Sequence, residues 1–443
     1  MASSSAVDSE LLGHELRSSK EHGAVVQKYL EQKGLGSFEL LADLGCIHWW
    51  PERCPARTSA SATAKDILGA CEVLELLDAG IHSPDDAAGN GIENKRRDQV
   101  QGPPRLTNLG KLNHRLTMNP QKLSSNLPHD IRPSGFSFHG PSSLLGLLLC
   151  LRSDALVKKN DKQAGPGTAT SVQDYKAEIT RREDSPMPDF LFGGSTLNML
   201  AERTVCSYNY LPGGAREVKR LRYRVQKING VISICRVADY EKNYADPGFQ
   251  FERLVTGGNV ADRVGKTGNR GFDSIERAQL CRLGGTFNVL FVADLDACAG
   301  PPRVPVEIKS GNPRNFGSKL ILQMLSSGSQ LLCYGDNYFD KSVGVKKVRA
   351  VRTASFPTQV MRDHGNDTHF LRRALGDSLI ETLMELKVLC ADIPDCMDAD
   401  SKTSSFDLAW EHGKPVLKPT TEYLDASFVA PNVLRELLDK PKK

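Results

Sequence analysis

Alternation of apolar and polar positions is clearest in the middle of the chain. Arginines 220, 222 and 224 alternate with Leu221, Tyr223 and Val225, the period of two of a strand with one face turned to the core. Asn229-Gly230 then supplies the dipeptide that two-residue hairpin turns favour, and leads into Val231–Cys235. The pattern predicts a hairpin over 215–236. Strand-like runs follow at Phe287–Leu295, Val304–Ile308, Gln330–Tyr334 and Lys346–Arg352, with a short helix at Ser318–Leu325. His369–Cys390 reads as an amphipathic helix whose apolar stripe is Leu371, Leu375, Leu379, Leu383 and Leu386. Ser142–Leu151 is a short apolar helix, followed by a loop over Lys158–Thr170. Strands mixed with a few helices predict a mixed α/β (α+β) fold, with largely antiparallel or mixed central sheets flanked by helices.

The pattern also sets expected boundaries. Residues 1–35 are polar and read as a frayed tail, and 416–443 as a C-terminal tail. Residues 36–415 are expected to form a single domain in which 36–50, with two adjacent tryptophans, is structured. An insertion is expected at about 53–130, including the Gly/Asn/Asp-rich stretch 83–105. That stretch carries the basic run Lys95-Arg96-Arg97, read as a solvated loop or a nuclear-localisation patch. No internal repeat is visible.

Composition narrows the function class. Lys+Arg 57 against Asp+Glu 53 leaves +4, too small a net charge to draw the whole chain to nucleic acid or membrane. The N-terminus lacks an apolar signal region, and the longest apolar run, Leu144–Leu151, is far short of the ~20 residues of a membrane span. Eleven cysteines with no Cys-x-x-Cys read as reduced thiols rather than a disulfide framework or a zinc site. The expectation is an intracellular protein, nuclear, cytoplasmic or both, with no membrane partner.

The candidate chemistry lies between residues 291 and 311. Asp294 and Asp296, two apart, are expected on one face of a strand; Glu307 and Lys309 share a face of the next. A hairpin joining them through Gly300-Pro301-Pro302 would gather three carboxylates and one ammonium. Clustered carboxylates repel unless a cation is present, and oxygen-only ligands suit Mg²⁺ or Mn²⁺ rather than zinc. An acid followed about ten residues later by Glu-x-Lys on the next strand is the arrangement of metal-dependent phosphodiester nucleases. A surface hairpin with an ordinary Glu–Lys pattern is the bland alternative, opposed by the apolar flanks Val289–Val292, Val304 and Val306.

Four motifs in order resemble the DXO/Rai decapping exoribonucleases, which remove defective or non-canonical 5′ ends from RNA and degrade it 5′ to 3′. Gly248–Glu252 is similar to the family's Gly-x-x-Phe-Glu. Arg282-Leu-Gly284 leading to Asp294-Leu-Asp296 is similar to its Arg-Leu-Gly followed by Glu-x-Asp. Glu307-Ile-Lys309 matches its Glu-hydrophobic-Lys, and Lys319 through Gln323 and Gly328 to Gly335 match its following helix and strand. Asp43–Ile47 is reminiscent of its first strand. The resemblance spans roughly residues 130–415.

The resemblance implies Mg²⁺ or Mn²⁺ held by Glu252, Asp296, Glu307 and the Ile308 carbonyl, with Asp294 acting through water or a second ion. It implies that Lys309 and Gln323 contact the scissile phosphate and position the attacking water. The implied reaction is in-line hydrolysis of a cap-proximal pyrophosphate or of the first phosphodiester. The implied partner is an RNA 5′ end, with a 5′–3′ exoribonuclease as a possible protein partner and no DNA expected. Two departures stand out. Where the family has Trp-Arg-Gly-x-x-Thr-Lys, this chain has Phe192-Gly193-Gly194 through Asn198, so the phosphate-gripping arginine is Gly193 and the lysine is Asn198. The family's first acid of Glu-x-Asp is Asp294. Phe192, Gly193 and Gly194 remain the expected substrate-binding segment. The rivals are a non-catalytic RNA-binding or adaptor member of the family and a DNA nuclease with the same acidic core.

Other features carry less. Arg220, Arg222 and Arg224 would line either an RNA path or a solvated sheet face. Gly265, Gly268 and Gly271 read as a flexible loop, His364 and His369 as non-ligands, and Asn366-Asp-Thr368 as a sequon without meaning inside the cell.

Overall fold

The structure is a computed structural model, and it describes residues 19–32, 34–49, 71–74, 146–147, 150, 186–210, 216–237, 274–299, 304–311, 318–336, 347–352, 372–396 and 405–420. In chain order the elements are α1 (Ser19–Gln32), β1 (Phe38–Trp49), β2 (Cys71–Leu74), β3 (Phe190–Phe192), α2 (Gly194–Glu202), β4 (Cys206–Tyr210) and β5 (Arg216–Arg220). They continue with β6 (Arg222–Ile228), β7 (Val231–Val237), β8 (Ser274–Leu283), β9 (Phe287–Asp294), β10 (Ala297–Ala299), β11 (Val304–Gly311) and α3 (Ser318–Ser327). Last come β12 (Leu331–Asp336), β13 (Lys347–Arg352), α4 (Asp377–Leu389), β14 (Ser405–Glu411) and β15 (Lys414–Pro419).

A nine-stranded sheet in the order β15-β14-β6-β7-β3-β9-β8-β1-β2 and a four-stranded sheet in the order β10-β11-β12-β13 make the mixed α/β fold that the patterning predicts. Most neighbours are antiparallel. The exceptions are β3, parallel to both β7 and β9, and β11, parallel to β12. A strand with two parallel neighbours is covered on both faces, and β3 accordingly reads Phe-Leu-Phe with every side chain buried. Its rings tie the sheet together. Phe190 meets Phe287 edge-on at 5.5 Å, and Phe192 meets Phe291 at 5.4 Å, while Phe38 of β1 stacks on Phe291 at 5.9 Å. Leucines 379, 383 and 386 of α4 join this core, as does Leu375 in the turn before it. Leu371 lies outside the described residues. In the expected Ser142–Leu151 helix, residues 146, 147 and 150 are helical, with Leu147 and Cys150 buried.

The predicted hairpin forms as β6 and β7, closing at Ile228 opposite Val231. Asn229 (φ 49°) and Gly230 (φ 80°) both take the left-handed backbone that such a turn demands. Asp395 accepts from both turn amides, at 3.1 Å and 2.6 Å. The arginine alternation does not make a solvated face. Arg220 belongs to β5, and Arg224 is fully buried on a strand whose residues 223 to 226 are buried on both faces. Both Arg224 and Arg222 reach Asp407 of β14 at 3.5 Å.

The expected N-terminal tail is corrected from residue 19 onward. Val26 and Leu30, four apart on α1, are buried against the sheet, each burial contributing on the order of 2 kcal/mol. The C-terminal tail likewise starts later than expected, because β15 runs to Pro419 in antiparallel register with β14. Within the expected insertion, β2 pairs with β1 at the sheet's edge. The rest of that stretch lies outside the described residues, as do the basic run at 95–97, the 265–271 loop, His364, His369 and Asn366. Among the described residues no helix is long and apolar enough to cross a membrane. Cysteines 150, 235, 281, 333, 390 and 396 are buried and in no disulfide.

Candidate active site

β9 runs antiparallel to β8 and ends at Asp294, which stands directly opposite Glu276. The chain then leaves the large sheet. Leu295 is buried, and from Ala297 the backbone pairs with β11 of the small sheet, Ala297 opposite Val306. This corrects the expected hairpin: the antiparallel partner of β11 is β10, and Asp294 and Asp296 do not share a strand. Asp296 sits at the crossing between the sheets.

β11 delivers the second half as expected. Glu307 and Lys309 alternate along it and share a face with Leu332 and Tyr334 of the parallel β12. The backbone N–H of Ile308 donates to Asp296 Oδ2 at 2.8 Å, which pins the crossing segment to β11. The Lys309 ammonium forms an ion pair with Glu307 Oε1 and lies 3.9 Å from Asp296 Oδ2. Glu307 is 2 % exposed. Burial, and then the neighbouring charge of Asp296, push its carboxyl up to about 7; Lys309 pulls the other way and Asp294 adds a smaller push. Asp296, Glu307 and Lys309 are therefore in direct contact, with Asp294 near enough to act on Glu307.

This oxygen-only donor set suits a hard divalent cation, and a carboxyl pushed upward by burial and then by its acidic neighbours is a group that a cation would return to the ionised form. Among the described residues, however, no group of three or more His, Cys, Asp or Glu side chains is placed to hold a metal ion. Glu252, the remaining expected ligand, lies outside the described residues, with the whole Gly248–Glu252 motif.

Parallel strands need a crossover, and α3 supplies it between β11 and β12. Gln323 lies on it, half-buried. The C-terminus of α3 is closed by Gly328 (φ 65°): Gly328 N–H donates to Leu325 O at 3.2 Å and Ser329 N–H to Met324 O at 2.9 Å.

The expected substrate segment divides. Phe192 is a fully buried core ring packed edge-on against Phe291. Gly193 caps the N-terminus of α2 and Gly194 is its first residue, both buried. A Cβ on Gly194 would lie 2.3 Å from Ser326 Oγ and 3.5 Å from Gln323 Cα, so glycine here is what lets α2 approach α3. Asn198, in the lysine position of the resembled motif, donates to Lys319 O at 3.5 Å, and Lys319 pairs with Glu202 at 2.6 Å.

Two features escaped the sequence reading. Glu276, 4 % exposed opposite Asp294, and Arg277, paired with Asp43, both lie on β8. The alternation of Arg277 and Gln279 with Ala278 and Leu280 is the signal that would have found this strand.

No family model matches the sequence, and no curated protein matches it significantly. Among solved structures, the chain is similar to Schizosaccharomyces pombe Rai1 in complex with 3′-FADP: 16 % identity over 53 % of this chain and 72 % of that one, TM-score 0.37. It is similar to Candida albicans Rai1 in complex with pU5 and Mn²⁺, at 12 % identity over 60 % and 78 % of the two chains, TM-score 0.40. It is also similar to Kluyveromyces lactis Dxo1 in complex with manganese, at 12 % identity over 86 % and 99 %, TM-score 0.38.

Proposed function

We propose that this chain is a divalent-cation-dependent hydrolase of RNA 5′ ends, of the decapping type, that also degrades RNA 5′ to 3′. The observation that carries the reading is Glu307, a buried carboxylate held against Lys309 beside Asp296, at the junction of the two sheets. An ordinary surface Glu–Lys pair would not be 2 % exposed or be pushed upward by a second acid. The ordered motifs from Gly248 to Gly335 support the same reading.

Asp296, Glu307 and the Ile308 carbonyl, with Glu252, would hold Mg²⁺ or Mn²⁺, and Asp294 would act from the adjoining strand end. The bound cation supplies Lewis-acid polarisation of the phosphate and a more acidic water. Lys309 neutralises charge on a non-bridging phosphate oxygen, and its ammonium also opposes protonation of Glu307 against the push of burial and Asp296. Gln323 orients the phosphate and the water by hydrogen bonding. The RNA 5′ end is the substrate, DNA is not, and residence is nuclear or cytoplasmic; a 5′–3′ exoribonuclease is a candidate partner.

A second reading, a non-catalytic RNA 5′-end-binding adaptor, is favoured by Gly193 and Asn198. They leave the α2 start without the cationic clamp of the resembled motif, a loss of roughly 1.5–3 kcal/mol in phosphate binding. Purified protein incubated with Mn²⁺ or Mg²⁺ and RNAs bearing monophosphate, triphosphate, NAD or unmethylated-cap 5′ ends separates the two. Hydrolysis that disappears in Glu307→Ala supports the enzyme; RNA binding with no hydrolysis of any end leaves the adaptor. Hydrolysis of matched DNA at the same rate would overturn RNA selectivity.

A further inference from the structure

The C-terminal end of α3 is held by two side chains from a single distant strand. Gln279 of β8 donates to Leu325 O and Ser326 O, each at 2.7 Å. Two residues earlier on the same face, Arg277 Nη1 donates to Ser327 O at 3.0 Å and Gly328 O at 2.9 Å. Together with the Gly328 and Ser329 amides, these donors occupy the carbonyls that a helix end otherwise leaves open. Arg277 is 1 % exposed, and such a buried charge is tolerated only when paired. Asp43 of β1 supplies the pair in a two-pronged geometry, Nε to Oδ1 at 3.2 Å and Nη2 to Oδ2 at 2.5 Å. The fit leaves no slack, because a Cβ at position 328 would lie 1.8 Å from Arg277 Nη1.

A full helix-end closure by glycine needs no arginine, so the buried ion pair does something more than cap. What it adds is location. It ties α3 to the β1–β8 ladder, whose next strand, β9, ends in Asp294. From its other side α3 is fixed by the close approach of α2 at Gly194, within van der Waals reach of Gln323 Cα. We propose that Arg277, held by Asp43, is a positioning residue: it sets where α3 lies along β8 and thereby where Gln323 stands relative to the acids of β9 and β11. It does not touch substrate. The proposal rests on the hydrolase reading for its functional consequence, and on α3 alone for its structural one.

The test uses the full chain and two variants, Arg277→Met and Arg277→Lys, with Arg282→Met as a control. Arg282 lies on the same strand, partly exposed and paired with Glu39 at 3.3 Å. Arg277→Lys keeps the charge and loses the fork, so it remains informative if Arg277→Met does not fold. Two quantities are read. Hydrogen exchange at the amides of 322–327 should accelerate at least tenfold in Arg277→Lys and stay as in wild type in Arg282→Met. With 5′-monophosphorylated RNA and Mn²⁺, kcat should fall about tenfold to a hundredfold in Arg277→Lys, with KM changed less than about twofold, as expected when a reacting group is displaced but binding is kept. Unchanged exchange, or an unchanged kcat in an active protein, overturns the proposal. If wild type itself hydrolyses nothing, the hydrolase reading has failed, and the exchange measurement alone decides whether Arg277 positions α3.

Discussion

The backbone N–H of Ile308 donates to Oδ2 of Asp296, and this bond adds a side-chain tie to the β10–β11 ladder that joins the segment leaving the large sheet to the small one. It also faces the Asp296 carboxylate towards Glu307 and Lys309. Asp296 thus raises the Glu307 pKa through its charge while its acceptor role belongs to the backbone. Asp296→Asn separates the two, keeping an acceptor oxygen and removing the charge. The Glu307 carboxyl, now at about 7, should titrate at lower pH in this variant, measured by carboxyl NMR in metal-free protein.

Ionising Glu307 is harder in the folded protein, about 7, than in the unfolded chain, 4.5. Folding therefore favours the proton. Below pH 4.5 both states hold it and stability is undiminished; as pH rises through about 7 the folded state must ionise at a penalty the unfolded chain escapes. Glu307→Gln cannot ionise. In metal-free protein its stability relative to wild type should improve between pH 4.5 and 8, by at most about 3 kcal/mol and by less to the extent that Lys309 loses its partner. Urea denaturation at the two pH values measures it.

Chelation should abolish hydrolysis of 5′-monophosphorylated RNA, and added Mn²⁺ should restore it in wild type but not in Glu307→Ala. Lys309→Met should retain cation binding and lose at least about a hundredfold in kcat, the size expected for removing one charge-stabilising donor. Isothermal titration with Mn²⁺ beside the rate assay distinguishes the two variants.

Gly194→Ala should destabilise the protein by about 1–3 kcal/mol, because the new methyl meets Ser326 Oγ. Removing that oxygen in Gly194→Ala/Ser326→Ala should recover part of the loss, giving a coupling energy of opposite sign in a double-mutant cycle. Additive effects would mean that α2 and α3 do not press together there.

Gly284→Ala combines a left-handed backbone (φ 56°) with a Cβ placed 2.4 Å from Ile380 Cδ1 of α4. The backbone alone costs about 1–2 kcal/mol. Ile380→Ala should relieve the contact but not that cost, so thermal denaturation of the double variant should recover only partly.

What the sequence made legible was local. Asn229-Gly230 announces its turn because both residues tolerate positive φ, and the Leu375–Leu386 stripe announces α4 because its period matches a helix. Glu307 and Lys309 were legible as a same-face pair for the same kind of reason. The split between Asp294 and Asp296 was not, since Val292, Leu295 and Ala297 continue an apolar stretch and nothing local marks a change of sheet. Arg224 misled for a related reason: alternation describes which way a side chain points, while its burial depends on what packs over that face and its charge on Asp407, 183 residues away. Val26 and Leu30 form too short a stripe to separate α1 from a polar tail before its docking surface is known.

Asp43 and Arg277 are 234 residues apart in sequence, yet their strands are neighbours. As the chain emerges during synthesis, β1 has only the short β2 to pair with until β8 has been made. The most remote pairing in the large sheet thus precedes any ordered arrangement of the acids on β9 and β11. Ribosome-bound fragments ending before residue 283 should hold an unpartnered β1 edge, open to chaperones and to other nascent chains, and folding should be slow for a protein of this size.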